Sequence, residues 1–261
     1  MNTESIDQNQ DGDKNIIVSN TISKKKMHQQ PLKICYDENN NDNYEIGVDE
    51  VGRGPLFGRV YAAAVILPKD DSFDHSKMKD SKKFHSKKKI QEVADYIKEH
   101  SIAWAIQYED EKTIDAVNIL QASQSAMHKS ISKILKTKIN TKIETESRTY
   151  INPSSVMLLI DGNYFKPYTI ITESKQISQL DYVCIEGGDN KYSAIAAASI
   201  LAKVERDKYI EDLCIEHPDL IEKYSLDSNK GYGSRKHIEG IKKHGITIWH
   251  RRSFGICKEY V

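Results

Sequence analysis

Apolar and polar positions divide most of this chain into short blocks that predict strands and helices in turn. Residues 44–49 alternate apolar and other side chains, and residues 60–67 form a nearly continuous apolar run that ends at Pro68. Alternation and short runs of this kind are typical of β-strands, and the second strand is predicted to be buried. Because few residues separate the two strands, and Gly52 and Gly54 break the chain between them, we predict a hairpin.

Apolar residues recur at helical spacing in four later segments, and three further short runs are β-like. The predicted helices cover residues 87–99, 115–135, 192–214 and 234–244, and the additional strands cover residues 102–108, 156–160 and 181–185. Ser86 is a candidate N-cap of the first helix, and Gly245 ends the last one. Strands interspersed with helices in this order predict an α/β fold, a mixed sheet with helices packed on its faces.

Two polar stretches interrupt the pattern and set the predicted domain boundaries. Residues 1–43 are rich in Asn, Asp, Gln, Ser and Lys, and they cannot bury enough surface to offset the entropy of ordering them. We therefore predict a disordered or loosely ordered N-terminal extension, followed by a single domain over residues 44–261. Residues 137–155 carry no sustained period and are predicted to be a polar insertion in that domain.

Composition narrows the class of protein without indicating a substrate. No apolar run approaches the roughly 18 residues that a membrane span requires, and the chain does not open like a secretory signal. We therefore expect a cytoplasmic protein that makes no membrane contact. The four cysteines are widely spaced without a C-x-x-C pair, which argues against a zinc ribbon and a disulfide framework. The net charge of zero at pH 7 neither favours nor excludes nucleic acid as a partner.

Acidic residues stand at the ends of three predicted strands. Asp49 and Glu50 close the first strand. Asp161 directly follows a second, and Asp189 lies between a third and the long helix. Ligands of open α/β sheets bind beyond the carboxyl ends of the strands, so these carboxylates converge if the strands are neighbours. Converging carboxylates repel one another unless a cation intervenes, and their hard oxygens suit Mg²⁺ or Mn²⁺.

Each of these carboxylates also has an ordinary structural interpretation. Asp189 alone is a typical helix N-cap, Asp161 with Gly162 is a routine turn dipeptide, and Asp49 with its neighbour fits a solvated strand end. The residue pattern by itself therefore leaves these roles and a metal site as open alternatives. Two divalent ions at such a site could position an attacking water and stabilise the leaving oxygen of a phosphodiester.

Long motifs follow one another from about residue 44 to the C-terminus. They are GVDEVGRGPLFG at residues 47–58, DSKK at 80–83, LIDGN at 159–163, IAAASILAKVERD at 195–207, KGYG at 230–233, His237, and HRRSF at 250–254. In sequence and in order these motifs resemble those of ribonuclease HII, in its single-subunit bacterial form. The resemblance implies a ribonuclease H-like fold, with a mixed five-stranded sheet flanked by helices.

The resemblance also implies the residues of the active site. The metal-binding and catalytic carboxylates would be Asp49, Glu50, Asp161 and Asp189, and two Mg²⁺ or Mn²⁺ ions are expected during catalysis. The substrate-binding residues would be Gly52, Arg53, Gly54, Lys82 and Tyr232.

The implied substrate-binding residues would contact the sugar and the phosphate of the substrate. The turn at residues 52–54 would contact the ribose 2′-hydroxyl at an RNA–DNA junction, because only a backbone without Cβ comes close enough to recognise one hydroxyl. Tyr232 would pack on the sugar of the ribonucleotide, and Lys82 would contact a phosphate. The structural alternatives are an ordinary aromatic side chain in a glycine-rich turn for Tyr232 and a solvated lysine face for Lys82.

The activity that the resemblance implies is a metal-dependent endoribonuclease. It would hydrolyse the RNA strand of RNA–DNA hybrids and cleave 5′ of single ribonucleotides embedded in duplex DNA, leaving 3′-hydroxyl and 5′-phosphate ends. The partner would be nucleic acid and the protein a monomer. Two other functions compete with it. One is a nuclease or integrase of the same fold that acts on DNA alone, and the other is a hybrid-binding protein that has lost catalysis.

Other residues of these motifs are expected to have structural roles. Asp207 stands four residues after Lys203, so we expect an ion pair within the helix and exclude Asp207 from the metal ligands. Ser199 lies among alanines and is predicted to be a helix-packing residue. His237 and His250 are predicted to be structural or phosphate-facing. The chain departs from the family mildly, for example by an arginine at position 59 where a proline is usual.

Overall fold

Five of nine strands form one mixed sheet at the centre of the computed structural model, which describes residues 31–39, 43–140, 148–172 and 175–261. In chain order the strands are β1 (Tyr44–Val51), β2 (Val60–Ile66), β3 (Ala103–Glu109), β4 (Lys138–Asn140), β5 (Arg148–Tyr150), β6 (Val156–Asp161), β7 (Thr169–Ile171), β8 (Ile177–Gln179) and β9 (Asp181–Ile185). The central sheet has the order β3-β2-β1-β6-β9. β1 and β2 pair antiparallel, which confirms the predicted hairpin, whereas β6 runs parallel to both β1 and β9.

Helices cover both faces of this sheet. They are α1 (Lys87–His100), α2 (Glu111–Leu135), α3 (Ser193–Glu216), α4 (Asp219–Tyr224), α5 (Leu226–Asn229) and α6 (Arg235–His244). Side chains of successive residues of β2 point to opposite faces of the sheet, as the two-residue period of a strand requires. Ala62 and Ala64 pack on the side of α2, and Ala63 and Val65 pack on the side of α1 and α3. The predicted mixed sheet with helices on its faces is confirmed.

Helix α3 lies unusually close to the central strand β1. A Cβ atom at Gly47 would stand within 2.5 Å of the backbone nitrogen of Ile195 and nearer still to the carbonyl group of Ala194. The run of small residues at the start of α3 makes this approach possible. The approach brings the segment just before α3, which carries Asp189, beside the end of β1.

Three predicted helices agree with the structure and one begins earlier than predicted. The bounds of α1, α3 and α6 lie within two residues of those predicted. Helix α2 begins at Glu111, four residues earlier, because the side chain of Asp110 accepts the N–H of Thr113 at 2.8 Å and caps it. Asn118, with φ of 71°, kinks α2 near its start, so the apolar stripe of the main helix does not continue into the first turns.

Short elements are present where the sequence pattern predicts none. The predicted insertion at 137–155 contains the hairpin of β4 and β5, and its residues 141–147 lie outside the described part of the chain. The hairpin of β7 and β8 and the helices α4 and α5 were also not predicted, because three to six residues are too few to establish a period.

Most of the predicted N-terminal extension lies outside the described residues, and its described end is in contact with the domain. The N–H of Lys33 donates to the carbonyl of Lys191 at 2.8 Å, and Lys33 accepts from the N–H of Ser193 at 2.9 Å. The N–H of Tyr36 donates to Glu45 at 2.8 Å. The compact unit therefore begins at Pro31 rather than at residue 44. Within the described part of the chain, no helix is both long and apolar enough to cross a membrane.

Candidate active site

The four predicted carboxylates lie at one edge of the central sheet. Residue 48 of β1 is in register with residue 160 of the parallel strand β6. Asp49 and Asp161 are the next residues of these two strands and therefore lie side by side. Glu50 is the next residue of β1. Asp161 in turn pairs with residue 185 of β9, and Asp189 follows in the 3₁₀ turn Gly188–Asn190 that leads to α3. The structure therefore brings together the carboxylates that the sequence predicted to converge.

Burial and mutual repulsion disfavour the charged forms of this cluster. Asp49 is 5% exposed, and burial together with the charges of Glu50 and Asp161 holds its pKa well above the usual range. Burial also raises the pKa of Glu50, although Arg53 opposes the shift. The pKa of Asp189 is raised by burial and then by Asp80 and Asp161. A cation bound among these carboxylates would stabilise their ionised forms, because it neutralises their mutual repulsion.

Most of these carboxylates accept hydrogen bonds from neighbouring N–H groups. Oδ1 of Asp161 accepts from the N–H of Gly188 at 2.6 Å, and Oδ1 of Asp189 accepts from the side-chain amide of Asn190 at 3.0 Å. Among the described residues, no three acidic, histidine or cysteine side chains meet in an arrangement that could hold a metal ion. The donor set is nevertheless chemically suited to hard divalent ions, since it consists of carboxylate oxygens with unfavourable mutual charge.

Ser199 contacts the cluster and is more than a packing residue. Its side chain is hydrogen-bonded to Asp49 and lies 3.0 Å from the hydroxyl of Ser81, and both serines are buried. A serine inside an alanine-rich helix turn gives no sequence signal of this kind, because the signal depends on which strand the helix covers. Ser199 therefore links α3 and the DSKK motif to the first carboxylate.

Asp80 and Lys82 complete the polar surroundings of the cluster. Asp80 is buried, accepts the N–H of Lys82 at 2.9 Å, and accepts from the amide of Asn190 at 3.3 Å. Burial alone would lower the pKa of Lys82, but Asp189, Asp80 and further carboxylates of the cluster raise it overall. Lys82 thus stands in the field of the active-site carboxylates. The prediction left a solvated lysine face open, and this position distinguishes Lys82 from such a face.

The predicted substrate-binding turn and Tyr232 lie side by side. A Cβ atom at Gly54 would stand 3.8 Å from the ring of Tyr232, whose side chain is 47% exposed. Gly52 has φ of +96°, which favours glycine, and a Cβ there would overlap the guanidinium group of Arg206. The side chain of Arg53 is exposed and pairs with Glu50 at 3.2 Å. An exposed aromatic ring and a bare backbone therefore form one surface beside the carboxylates.

Two buried arginines, Arg206 and Arg251, support the backbone and the ring of this surface, and no role was predicted for either. Arg251 is fully buried and donates to the carbonyls of Gly52 at 2.6 Å and Arg53 at 2.9 Å. It also donates to the carbonyls of residues 58 and 59. Arg206, equally buried, donates to the carbonyl of Lys230 at 2.9 Å, and its guanidinium lies 5.6 Å from the ring of Tyr232. Arginine is suited to this task because its fork donates to several carbonyls at once.

The other residues discussed from sequence have structural positions. Lys203 and Asp207 form an ion pair within α3, as predicted. His237 and His250 are 0% and 1% exposed, so they are structural and do not face a phosphate. The guanidinium of Arg59 is stacked between two tyrosine rings, 4.0 Å from one and 4.3 Å from the other.

Relatives of this chain share one description. The family model described as Ribonuclease HII matches residues 46–257. The chain is 41% identical over 215 residues to the ribonuclease HII of Parabacteroides distasonis, which covers 82% of this chain and 92% of that protein. It is 43% identical over 208 residues to the ribonuclease HII of Pelagibacter ubique, which covers 80% of this chain and 94% of that protein.

A solved structure shares the fold. The ribonuclease H2 of Pyrococcus horikoshii OT3 superposes with a TM-score of 0.59 at 20% identity, over 83% of this chain and 96% of that one. At this identity the likeness concerns the arrangement of strands and helices. It confirms the predicted ribonuclease H-like fold.

Proposed function

The chain belongs to the ribonuclease HII family and is a ribonuclease H, and from this premise we propose its finer activity. It hydrolyses the RNA strand of RNA–DNA hybrids and also cuts on the 5′ side of single ribonucleotides embedded in duplex DNA. The products carry 3′-hydroxyl and 5′-phosphate ends. The biological role under this proposal is the removal of misincorporated ribonucleotides and RNA primers, by a monomer that depends on divalent metal ions.

The convergence of Asp49, Glu50, Asp161 and Asp189 is the observation that carries this proposal. Four carboxylates lie at one sheet edge, and three of them have a raised pKa, so their ionised forms lower the stability of the folded protein. Among the described residues, the cations beside the cluster compensate it only in part, since Arg53 is exposed and Lys82 is shared among several carboxylates. Cations bound for phosphodiester hydrolysis would offset this loss of stability, because they neutralise the repulsion among the carboxylates.

Under the proposal these carboxylates hold two Mg²⁺ or Mn²⁺ ions. Asp49 and Asp161, on adjacent parallel strands, would hold the ions, together with Glu50 and Asp189. Bound ions of this kind supply positive charge that activates water and stabilises the leaving oxygen at phosphorus. Gly188 and Asn190 would orient the carboxylates of Asp161 and Asp189 through the hydrogen bonds they already donate.

The surface formed by the turn at 52–54 and Tyr232 would recognise the ribonucleotide. The bare backbone of Gly54 leaves room for a sugar to approach the chain, and the exposed ring of Tyr232 beside it offers an apolar face for that sugar. Lys82, exposed at the rim of the carboxylate cluster, would neutralise a neighbouring phosphate. This arrangement supports recognition of a ribose 2′-hydroxyl next to the cleaved bond.

The test is cleavage of a labelled DNA duplex that contains one ribonucleotide. With Mg²⁺ or Mn²⁺ we expect one cut on the 5′ side of the ribonucleotide, and no cut in an all-DNA duplex or in the presence of EDTA. Asp161→Asn should lower kcat/KM by at least about 100-fold, as removal of a charge-stabilising group does elsewhere. Asp207→Asn is the matched control, because Asp207 pairs with Lys203 outside the cluster.

Each alternative gives a different result in this assay. Cutting of the all-DNA duplex would show a nuclease of the same fold that does not depend on ribose. Cutting of a long RNA–DNA hybrid without cutting at a single ribonucleotide would remove the second half of the proposed activity. Undiminished cutting in EDTA would contradict the metal site.

A further inference from the structure

Two buried histidines, His250 and His237, form a line of hydrogen bonds that ends at the backbone carbonyl of Tyr232. Nε2 of His250 lies 3.1 Å from Nε2 of His237, and Nδ1 of His237 lies 2.9 Å from the carbonyl oxygen of Tyr232. On the other side, the N–H of Thr247 donates to Nδ1 of His250 at 2.9 Å. Every ring nitrogen of the pair therefore has a partner, although the side chains are 0% and 1% exposed.

The proton positions in this line follow from its two ends. A backbone N–H can only donate, so Nδ1 of His250 accepts and its proton is on Nε2. That Nε2–H donates to Nε2 of His237, whose own proton is then on Nδ1 and is donated to the carbonyl of Tyr232. All hydrogen bonds run in one direction, from Thr247 towards Tyr232, and each is satisfied with both rings neutral.

Neutral rings are the stable form of this pair. Burial lowers the pKa of His250 to about 3, with a further contribution from His237, and burial lowers the pKa of His237 as well. Protonation of His237 would place two N–H donors against each other at the Nε2 to Nε2 contact, and protonation of His250 would place the new Nδ1–H against the N–H of Thr247. Either change would break this chain of hydrogen bonds. The pair therefore keeps this one arrangement of hydrogen bonds as long as both rings are neutral.

The residue after His250 supports the neighbouring half of the surface. Arg251 donates to the carbonyls of Gly52 and Arg53, and the segment around it pairs with the chain after the turn. His250 reaches Tyr232 through His237, so two consecutive residues support both the turn and the tyrosine. The Cβ position at Gly54 lies 3.8 Å from the ring of Tyr232, so the two supported parts of the surface are in contact.

We infer that His237 and His250 are positioning residues that set the place of Tyr232 against the turn at 52–54. This inference rests on the proposed function, in which Tyr232 packs on the sugar of the ribonucleotide. The carbonyl of Tyr232 accepts from Nδ1 of His237 and from the N–H of Ser234, so loss of the histidine leaves its position less constrained. Displacement of the ring by even about 1 Å is expected to lower the catalytic rate by up to 100-fold.

A pair of substitutions at position 237 separates positioning from packing. His237→Asn places an amide N–H where Nδ1 stood and keeps the donor to Tyr232, whereas His237→Gln reaches the place of Nε2 and keeps only the contact with His250. On the duplex with one ribonucleotide we expect His237→Gln to lower kcat/KM between about 10- and 100-fold. His237→Asn should recover most of that loss, and His244→Gln, an exposed histidine on the same helix, should leave kcat/KM unchanged.

A double-mutant cycle with Tyr232→Ala shows whether the histidine acts through the tyrosine. We expect His237→Gln to have its full effect in the wild-type background and less than a twofold effect when the ring of Tyr232 is already absent. A residue that only maintains the fold would lower activity by the same factor in both backgrounds. Thermal unfolding of each variant, measured beside the kinetics, checks that the folded fraction is the same.

The outcomes separate this inference from the proposed function. Equal losses in both backgrounds, or equal activity of His237→Asn and His237→Gln, would overturn the inference while cleavage at the ribonucleotide stands. If the wild-type enzyme does not cut a single embedded ribonucleotide, the proposed activity fails in that part. The same cycle is then measured on a long RNA–DNA hybrid, where additive losses would again reject the positioning role.

Discussion

Asp49 is a carboxylate that is almost entirely buried. It is 5% exposed, and burial with the repulsion of Glu50 and Asp161 holds its pKa well above the usual range. The folded-state pKa lies above the unfolded one, so at a pH above both values the ionised side chain lowers the stability of the fold. Binding of a cation would offset this cost.

We therefore expect Asp49→Asn to stabilise the protein against urea at pH 7.5 in EDTA, by about 1 kcal/mol or more. Asparagine keeps the side-chain oxygen that accepts the N–H of Glu50 at 2.7 Å, so the packing is conserved. Millimolar Mg²⁺ should raise the free energy of unfolding of the wild-type protein by mass action and have little effect on the variant.

Asp212→Asn is the control for this measurement, because Asp212 is an exposed acidic residue on α3. Its removal should change the free energy of unfolding by no more than about 0.5 kcal/mol. A loss of stability for Asp49→Asn in EDTA would contradict the electrostatic cost. A wild-type protein that gains nothing from Mg²⁺ would contradict the metal site.

A second prediction concerns Gly52, which combines a positive φ with a close neighbour. Its φ is +96°, and a Cβ would stand 2.6 Å from Cδ of Arg206 and nearer to its Nε. Gly245 has φ of +76° with no atom within 4 Å, so it shares the strain and lacks the clash. We expect Gly245→Ala to cost about 1 kcal/mol and Gly52→Ala a further 1–3 kcal/mol in urea unfolding. Equal costs would show that Arg206 moves aside freely.

At the scale of residues, the sequence predicts the carboxylates of the site but not the side chains that hold the site in place. The carboxylates were predictable because Asp49, Glu50 and Asp161 stand at the ends of strands within long motifs, and Asp189 lies between a strand and the long helix. Arg206 and Arg251 were not, since their partners are backbone carbonyls far away in the chain, and a carbonyl leaves no trace in the sequence. The same holds for Ser199, whose contact with Asp49 depends on how α3 lies on β1.

At the scale of elements, length decided what could be predicted. The helices α1, α3 and α6 and the five strands of the central sheet carry enough apolar residues to show a period. The hairpins β4–β5 and β7–β8 have strands of three residues, which are too short to show a period. In β7–β8 the paired Ile171 and Ile177 are both exposed, so apolar residue type does not mark a buried face there. Their pairing is determined by backbone hydrogen bonds that residue types do not reveal.

The approach of α3 to β1 gives a prediction at this scale. A Cβ at Gly47 would meet the backbone of Ala194 and Ile195, and backbone in a long helix cannot rotate away as a side chain can. Gly47→Ala should therefore separate the helix from the strand and cost at least about 3 kcal/mol in urea unfolding. Hydrogen exchange should show weaker protection in β1 and the first turns of α3. A cost near that of Gly245→Ala would contradict the close approach.

At the scale of the whole molecule, the C-terminal segment connects distant parts of the chain. Residue 58 donates its N–H to residue 249, and residue 251 donates to residue 56, each at less than 3 Å. His250 of that segment is connected to Tyr232 through His237. Arg251 donates to the turn at 52–54, which lies nearly two hundred residues earlier in the chain. The turn at 52–54 and Tyr232 are therefore supported by contacts with the last part of the chain, so their arrangement depends on the folding of that segment.

The buried histidine pair makes the stability of the fold depend on pH. The pKa of His250 is lowered to about 3 in the fold, and that of His237 is lowered too, whereas both are near 6.5 in the unfolded chain. Between these values the unfolded state binds more protons, so the free energy of unfolding falls as the pH falls below about 6.5. Above that pH both states are neutral at these residues and the contribution is constant. The carboxylate cluster acts in the opposite sense, because its raised pKa values favour the fold at lower pH.

A comparison of slopes isolates the histidine contribution. Each buried neutral histidine adds up to about 1.4 kcal/mol per pH unit to the fall in stability between pH 6.5 and 5. We expect urea unfolding of His250→Gln to show a smaller slope than the wild-type protein over this range, whatever its stability at pH 7. His244→Gln removes an exposed histidine from α6 and should keep the wild-type slope. Parallel curves for wild type and His250→Gln would mean that the pair is protonated in the fold, and the one-way line of hydrogen bonds to Tyr232 would then not exist at that pH.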